Sequence, residues 1–232
     1  RLVGSEMCIR DSSRGFGVQS PWAYRFIRYV VNEHYPYYAF VELEQEMGYA
    51  GKLANKMGRL YFRLANYLQP RVVFSFYSNR VFCGEREILI VDKKIKEDGT
   101  RDFSGIYEKY LKRGCRNTEI ISLASTSDAD VSDAKDILGA YTGLPLVRMA
   151  YSNHSDALFE EVASAANEDT VLIIEGIMKS RMARNFWKKV KRDMRTGITF
   201  DLYYCGIVFF DHTRFKQHYL CLLYTSPSPR DA

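Results

Sequence analysis

Beyond Pro70 the chain repeats one pattern, and this pattern constrains the fold more than any other feature. Short runs of apolar and β-branched residues alternate with segments of helical periodicity that carry a polar face. The runs are VVFSF (72–76), EILIV (87–91), TEIISL (118–123), LPLVRM (144–149) and TVLII (170–174). Because near-continuous apolar strands are buried on both faces, the pattern predicts an α/β domain with a mainly parallel sheet between helices.

Different patterns flank this region on both sides. In front of it, Ser20 and Pro21 have the residue types of a helix cap and first turn, and a second helix is predicted over about 41–68. Behind it, GITFDLYYCGIVFFD (197–211) contains two strand-like runs around Cys205 and Gly206, which predicts an antiparallel hairpin at the end of the sheet. We therefore expect one domain, with a helical segment over 13–69 and an α/β part over 70–220.

The two ends of the chain are related to each other through their codons. One back-translation of Arg1–Ser12, read on the reverse strand, encodes the segment that begins at Cys221 and runs to the last residue, Ala232. This relationship is typical of a transposase-type sequencing adapter. We interpret residues 1–12 and 221–232 as adapter-derived and leave them out of the fold prediction.

Composition narrows the class of protein. The chain has 33 Lys and Arg against 28 Asp and Glu, a net charge of +5, which is compatible with an acidic partner without identifying one. The cysteines between the two ends, Cys83, Cys115 and Cys205, are few, widely spaced and odd in number, which favours a reduced, cytoplasmic protein. No apolar run approaches the length of about 18 residues that a membrane span needs, so we expect no membrane association.

Five short segments carry a resemblance to a known family. They are GFGVQSPWAY (15–24), RLYFRLANYLQP (59–70), YSNH (151–154), DLYYCGIVFF (201–210) and FKQHYL (215–220). In this layout the chain resembles class I S-adenosylmethionine-dependent methyltransferases, and within them a bacterial group related to small-molecule O-methyltransferases. The resemblance implies a Rossmann-like seven-stranded sheet of order 3-2-1-4-5-7-6, S-adenosylmethionine as cofactor, and a small-molecule acceptor with an oxygen or nitrogen nucleophile.

The cofactor motifs of that family are altered here. The family has an acidic residue and then a Gly-rich turn after the first strand, whereas this chain has Ser75 and Tyr77 at the corresponding positions. A tyrosine side chain is expected to occupy the space that glycine leaves for the cofactor. The resemblance implies that Tyr77, Ser78 and Asn79 border the cofactor and that Asp92 holds the ribose. Asp92 is equally compatible with a solvated position beside two lysines.

The acceptor side also departs from the family. His154 is the candidate general base, because histidine titrates near neutral pH, and Glu175 is the candidate base or cation ligand. Cation-dependent relatives carry an aspartate where this chain has Tyr151, and Glu175 alone offers too few oxygens, so we expect no metal. The alternatives are that His154 simply starts a helix, and that Glu175 caps the next helix or pairs with Lys179 or Arg181.

Two functions remain open from the sequence. One is a methyltransferase-family protein with a decayed cofactor site that acts as a binding or scaffold protein; the other is an active methyltransferase. The basic segment KSRMARNFWKKVKRDMR (179–195) is predicted as an amphipathic helix, with a basic solvated face and with Met182, Phe186, Val190 and Met194 toward the sheet. No nucleic-acid motif accompanies it, so a small molecule or a protein is the expected partner.

Overall fold

The structure, a computed structural model, describes residues 17–47, 52–77, 80–83, 86–89, 103–125 and 127–223. The helices are α1 (Pro21–Phe26), a π-helical turn (Ile27–Val31), α2 (Tyr38–Met47), α3 (Lys52–Leu68), α4 (Phe103–Gly114), α5 (Asp128–Gly139), α6 (Ser155–Ala165) and α7 (Arg181–Arg192). The strands are β1 (Val72–Tyr77), β2 (Arg80–Cys83), β3 (Arg86–Leu89), β4 (Glu119–Ala124), β5 (Leu146–Ala150), β6 (Val171–Glu175), β7 (Thr199–Asp201), β8 (Cys205–Phe209) and β9 (His218–Leu220).

Seven of these strands form one sheet in the order β4-β1-β5-β6-β8-β7-β9. Within the described part of the sheet only β8 runs antiparallel to its neighbours, β6 and β7. The predicted fold class, a mainly parallel α/β sheet of Rossmann-like type with a C-terminal antiparallel hairpin, is therefore confirmed. The predicted hairpin over 197–211 corresponds to β7 and β8, whose register pairs Asp201 with Gly206.

The strand order differs from the predicted 3-2-1-4-5-7-6 at both edges. The run that was expected as the second strand of the sheet is described only over Arg86–Leu89, where it forms a separate antiparallel pair with Arg80–Cys83. Only two residues separate these strands, so a hairpin is the closest pairing that the chain offers them. As a result Glu119–Ala124 lies directly beside β1, and β9 adds a parallel strand at the opposite edge.

Two apolar layers cover the sheet. On one face the first helices pack on alternate strand residues that include Val73, Leu146 and Ile173. On the other face α5, α6 and α7 pack on the intervening residues, such as Phe74, Val147 and Leu172. This division follows from the period of two in a strand and explains why the runs contain no polar alternation. None of the helices in the described ranges is long and apolar enough to cross a membrane.

Local signals account for several helix ends. Ser20 caps α1 by accepting a hydrogen bond from the Ala23 amide at 3.3 Å, and Pro21 occupies the first turn, as predicted. Ser127 and Asp130 form a reciprocal capping box on α5, and Ser180 caps α7. The single predicted helix over about 41–68 is described as two helices, α2 and α3, on either side of residues 48–51.

The segments predicted to be adapter-derived are only partly described. Residues 1–12 lie outside the described ranges, whereas Cys221 is buried and its amide donates to the Asp201 carbonyl at 2.8 Å. Removing apolar surface from water is favourable whatever DNA encoded the residue, so the burial of Cys221 does not reveal the origin of this segment. The adapter origin of both ends therefore stays a prediction.

Candidate functional site

The chain reverses its direction of winding at β1. From β1 it passes through α4 to β4 on one side, and it then continues through α5 to β5 on the other side of β1. In α/β sheets of this kind, ligands bind in the crevice outside the carboxyl ends of the strands at such a switch point. The residues that follow β1, β4 and β5 therefore define the candidate site.

Hydrogen bonds join the three segments that leave these strands. The amide and hydroxyl of Ser125, which follows β4, both donate to the carbonyl of Tyr77 at the end of β1, at 3.0 and 3.1 Å. The hydroxyl of Ser152, which follows β5, donates to the Ser125 carbonyl at 3.4 Å. Since Ser125 is almost fully buried, these bonds fix the backbone of the switch point in one arrangement.

A buried arginine lies beneath this crevice, on the face of the sheet that carries α3 and α4. Arg148 is the third residue of β5, and its side chain is only 3% exposed. Its Nε and Nη2 donate to the two carboxylate oxygens of Glu175, at 2.6 and 3.3 Å, and its Nη1 donates to Ser75 Oγ at 2.8 Å. The register of the sheet explains the contact, because β1, β5 and β6 are adjacent and Ser75 lies opposite Arg148.

Two tyrosines from the covering helices complete this group. Tyr61 of α3 donates its hydroxyl to Glu175, and the Arg148 guanidinium lies 5.8 Å from the Tyr61 ring centroid and 5.1 Å from the ring centroid of Tyr107 in α4. Ring faces attract a cation that has lost its water, so they offset part of the cost of burial. We call Ser75, Arg148, Glu175, Tyr61 and Tyr107 the polar cluster.

The charges of the polar cluster are strongly coupled. Burial alone would lower the pKa of Arg148, but Glu175 and the Tyr61 oxygen more than offset it, so that the pKa is raised above its usual value. Burial, and then the negative charge of Glu175, raise the pKa values of Tyr61 and Tyr107 well above the usual phenol value. Arg148 therefore stays charged and both phenols stay neutral at every physiological pH.

Glu175 does not have the surroundings that the sequence predicted for it. Its carboxylate accepts hydrogen bonds from two guanidinium nitrogens and one phenol, so Arg148, rather than Lys179 or Arg181, is its ion-pair partner. With these lone pairs engaged, the carboxylate is poorly placed to take a proton from an acceptor. Within the part of the chain that the structure describes, no three His, Cys, Asp or Glu side chains converge as a metal site.

His154 has a separate partner. It directly precedes α6, and its Nδ1 lies 3.0 Å from Oδ1 of Asp128, a side chain that is 98% exposed. A carboxylate on Nδ1 orients the ring and leaves Nε2 available, which is the arrangement of a general base. His154 follows β5 and Glu175 ends the adjacent strand β6. Their side chains, however, are held by different groups.

The structure describes only one of the four residues that were predicted to bind the cofactor. Tyr77 is the last residue of β1 and is half-buried, with its carbonyl bonded to Ser125. Ser78, Asn79 and Asp92 lie outside the described residues, so their role in binding a cofactor stays a prediction.

Sequence reasoning missed Arg148 and the two tyrosines. The available signal was the charged residue inside the apolar run LPLVRM, because a charge on a doubly covered strand requires a buried partner. The acidic residue that ends the next strand, Glu175, was the nearest candidate by register. Nothing in the sequence pattern identified Tyr61 or Tyr107, since both lie on helices whose packing against the sheet depends on the tertiary structure.

Fold and site together define an α/β protein of Rossmann-like type with a bridged switch point above a buried polar cluster. No protein-family model matches the sequence, and no curated protein matches it significantly. Solved methyltransferases are similar at the level of structure only. They include a methyltransferase from Geobacter sulfurreducens (13% identity, TM-score 0.44, 74% of this chain and 86% of that one) and an O-methyltransferase from Bacillus cereus in complex with SAH (11%, 0.45, 78% and 95%).

A third similar structure is the MycE methyltransferase from the mycinamycin biosynthetic pathway, in complex with Mg and SAH (10% identity, TM-score 0.46). The match covers 83% of this chain but only 53% of that protein. Similarity at this level does not assign the chain to the family of these proteins.

Proposed function

We propose that this chain is a methyltransferase-like protein whose cofactor site has decayed and which acts as a binding or scaffold protein. One observation carries the proposal: the carboxylate at the acceptor side, the partly buried Glu175, is held in an ion pair with the buried Arg148. The hydrogen bonds of this pair with Ser75 and Tyr61 stabilise the packing of β1, β5 and β6 against the covering helices. Breaking the pair in order to free the carboxylate would leave a buried charge unpaired, which costs several kcal/mol.

Two of the described positions argue against a fit to S-adenosylmethionine. The family's acidic position on the first strand is Ser75, whose hydroxyl accepts a hydrogen bond from Arg148 on the face of the sheet that carries α3 and α4. The half-buried tyrosine that ends this strand stands where the family has a glycine that lets the cofactor approach closely. We therefore derive no chemical step through this cofactor.

A second candidate, an active methyltransferase, is favoured by the His154–Asp128 pair. In that case the Asp128 carboxylate holds the imidazole, and Nε2 of His154 accepts the proton of an acceptor hydroxyl or amine at the switch point. This candidate predicts a methyltransferase activity that depends on His154, because the Glu175 carboxylate is engaged by Arg148 and is not available as the base.

Isothermal titration of S-adenosylmethionine and S-adenosylhomocysteine into the full chain tests the proposal. Circular dichroism and a thermal melt first establish that the protein is folded. We expect no heat of binding up to millimolar ligand, whereas micromolar binding to the folded protein would overturn the proposal. If binding occurs, transfer of a labelled methyl group that is lost in His154→Ala but retained in Tyr141→Phe would favour the enzyme.

A further inference from the structure

Helix α7 presents one uncovered face that is strongly basic. Its apolar side chains Ala183, Phe186, Trp187 and Val190 are buried against the sheet, so the opposite side faces solvent. Four cations recur there at intervals of three or four residues, the spacing of one helix face. We call Arg181, Arg184, Lys188 and Arg192, all exposed, the cationic stripe.

The cationic stripe differs from the neighbouring cations in having no acidic partner among the residues that the structure describes. Lys189 lies 2.7 Å from Asp156, and Arg195 lies 2.7 Å from both Glu160 and Asp193. By contrast, no carboxylate oxygen of the described residues lies within 4.0 Å of any of the four stripe cations. Like charges at helical spacing repel one another, so an unbalanced stripe of this kind destabilises the free helix slightly.

The shape of this surface fits an elongated partner. A shallow depression of about 510 Å³ lies beside the C-terminal half of α7 and is lined by Asn185, Lys188, Lys189, Arg192 and Asp193. All of these residues belong to one helix and its cap, so a small molecule would be contacted from one side only. Sites for small molecules enclose most of the ligand surface, which this depression does not do.

We propose that the cationic stripe is the docking surface for an acidic helix of a protein partner. Successive stripe cations are three or four residues apart, which at a rise of 1.5 Å per residue is roughly 4.5–6 Å. Carboxylates at i, i+3 or i+4 on a second helix repeat at the same distance, so several ion pairs form in register along one line. Packed helices lie roughly 8–10 Å apart, so a helix beside α7 would bring its carboxylates within reach of the stripe cations.

The composition of the surface supports a protein rather than a nucleic acid as the partner. Arginine and methionine are enriched at protein interfaces. Three of the four stripe cations are arginines, and Met182, which is 68% exposed, lies at the edge of the stripe. The sequence had predicted that Met182 and Met194 face the sheet, but both are exposed, because Ala183 and Trp187 form the buried side instead.

Fluorescence anisotropy with two labelled peptides tests this inference. The first is an alanine-based helical peptide with glutamates at alternating three- and four-residue intervals on one face; the second has the same composition with the glutamates distributed around the helix. We expect the first peptide to bind the full chain at least about fivefold more tightly, and its binding to weaken as salt is raised. Equal binding of the two peptides, or none at millimolar protein, would overturn the inference.

Matched charge reversals locate the surface. Lys188→Glu with Arg192→Glu should weaken binding of the first peptide by at least about tenfold. Arg116→Glu with Lys135→Glu makes the same change in net charge at two other exposed positions and should alter binding by less than about twofold. Circular dichroism verifies that both variants fold. A labelled single-stranded oligonucleotide that binds more tightly than the first peptide, with the same dependence on Lys188 and Arg192, would instead assign the stripe to nucleic acid.

The outcome does not depend on the proposed function. Titration with S-adenosylmethionine reports on the carboxyl ends of the strands, whereas the peptides report on the solvent face of α7. An active methyltransferase could carry the same docking surface, and a decayed one could lack it. Failure of either experiment therefore leaves the other proposal intact.

Discussion

At the scale of single residues, Arg148 is a charged side chain that is almost fully removed from water. A guanidinium removed from water loses solvation that only well-formed hydrogen bonds and ring contacts replace. Here it makes three hydrogen bonds, two to Glu175 and one to Ser75, and contacts the faces of two tyrosines. The Arg148–Glu175 pair therefore contributes little net stability. Removing only one of its two charges, however, is strongly destabilising.

The first prediction follows from this asymmetry. Arg148→Met keeps much of the side-chain volume but leaves the partly buried Glu175 without its cation, and we expect it to lower the free energy of unfolding by about 2–4 kcal/mol. Urea denaturation followed by circular dichroism measures this quantity. Arg71→Met, which removes an exposed arginine, is the matched control and should change it by less than about 0.5 kcal/mol.

A double variant distinguishes an unpaired charge from lost packing. Arg148→Met combined with Glu175→Leu removes both charges, so it should recover more than about half of the stability lost in the single variant. A double variant that is less stable than the single one would show that Glu175 contributes independently of Arg148. That result would contradict the assignment of Arg148 and Glu175 as one coupled ion pair.

The sequence predicted one member of the Arg148–Glu175 pair for a clear reason. Glu175 ends an apolar run, so the pattern identified it as chemically important, and its position at the end of a strand is confirmed. The identity of its partner depends on the register between β5 and β6 and on the packing of α3. Neither can be obtained from the periodicity of a single chain, and the pairing was therefore wrong.

At the scale of elements, Arg63 joins the first helices to α3. Its Nε and Nη2 donate to the carbonyls of Val30 and Val31 at 2.6 and 2.9 Å, at the end of the π-helical turn. Terminal helix carbonyls lack partners within the helix, and these two residues are buried. Burial lowers the pKa of Arg63 to about 10, against a partial opposing effect of Glu33 and Tyr37.

The second prediction concerns this contact. Arg63→Met leaves both carbonyls without their donor, and each unsatisfied buried group costs roughly 1–3 kcal/mol. We expect a lower free energy of unfolding and faster hydrogen exchange at the amides of residues 27–31. If exchange accelerates uniformly over the whole chain instead, Arg63 stabilises the fold globally and does not anchor the turn.

The third prediction concerns the contact of the C-terminal hairpin with α7. A Cβ on Gly206 would lie 2.5 Å from the Trp187 ring, and Trp187 is also fixed by its Nε1 hydrogen bond to Asp201 at 2.9 Å. Gly206→Ala should therefore destabilise the protein by about 1–3 kcal/mol in urea denaturation. Gly139→Ala, at the end of α5 with no atom within 4 Å of the new methyl group, should be neutral or stabilising.

At the scale of the whole molecule, the alternation of strands and helices was sufficient to predict the sheet and its hairpin. It could not predict which strand lies beside β1, because only eight residues (78–85) separate β1 from β3, too few for a crossover helix, and β3 pairs locally with β2. Likewise β9 has only three residues, below the length at which alternation is informative. Tertiary pairing, rather than local propensity, determines both edges of the sheet.

The last prediction concerns the stability of the molecule at high pH. Burial raises the pKa of Tyr110 to about 12, and it raises the pKa values of Tyr61 and Tyr107 further. In the unfolded chain these phenols ionise near pH 10, whereas in the folded protein they stay neutral. Below about pH 10 their contribution is fully present, and between about pH 10 and 12 the unfolded state loses protons that the folded state retains. Stability must then fall as pH rises.

Urea denaturation at a series of pH values from about 9 to 12 measures this loss. Tyr110→Phe removes one of the phenols with a raised pKa and should make the decline less steep. Tyr38→Phe removes a phenol that is 86% exposed and should leave the decline unchanged. Identical pH profiles for the two variants would mean that Tyr110 ionises in the folded protein as readily as in the unfolded chain.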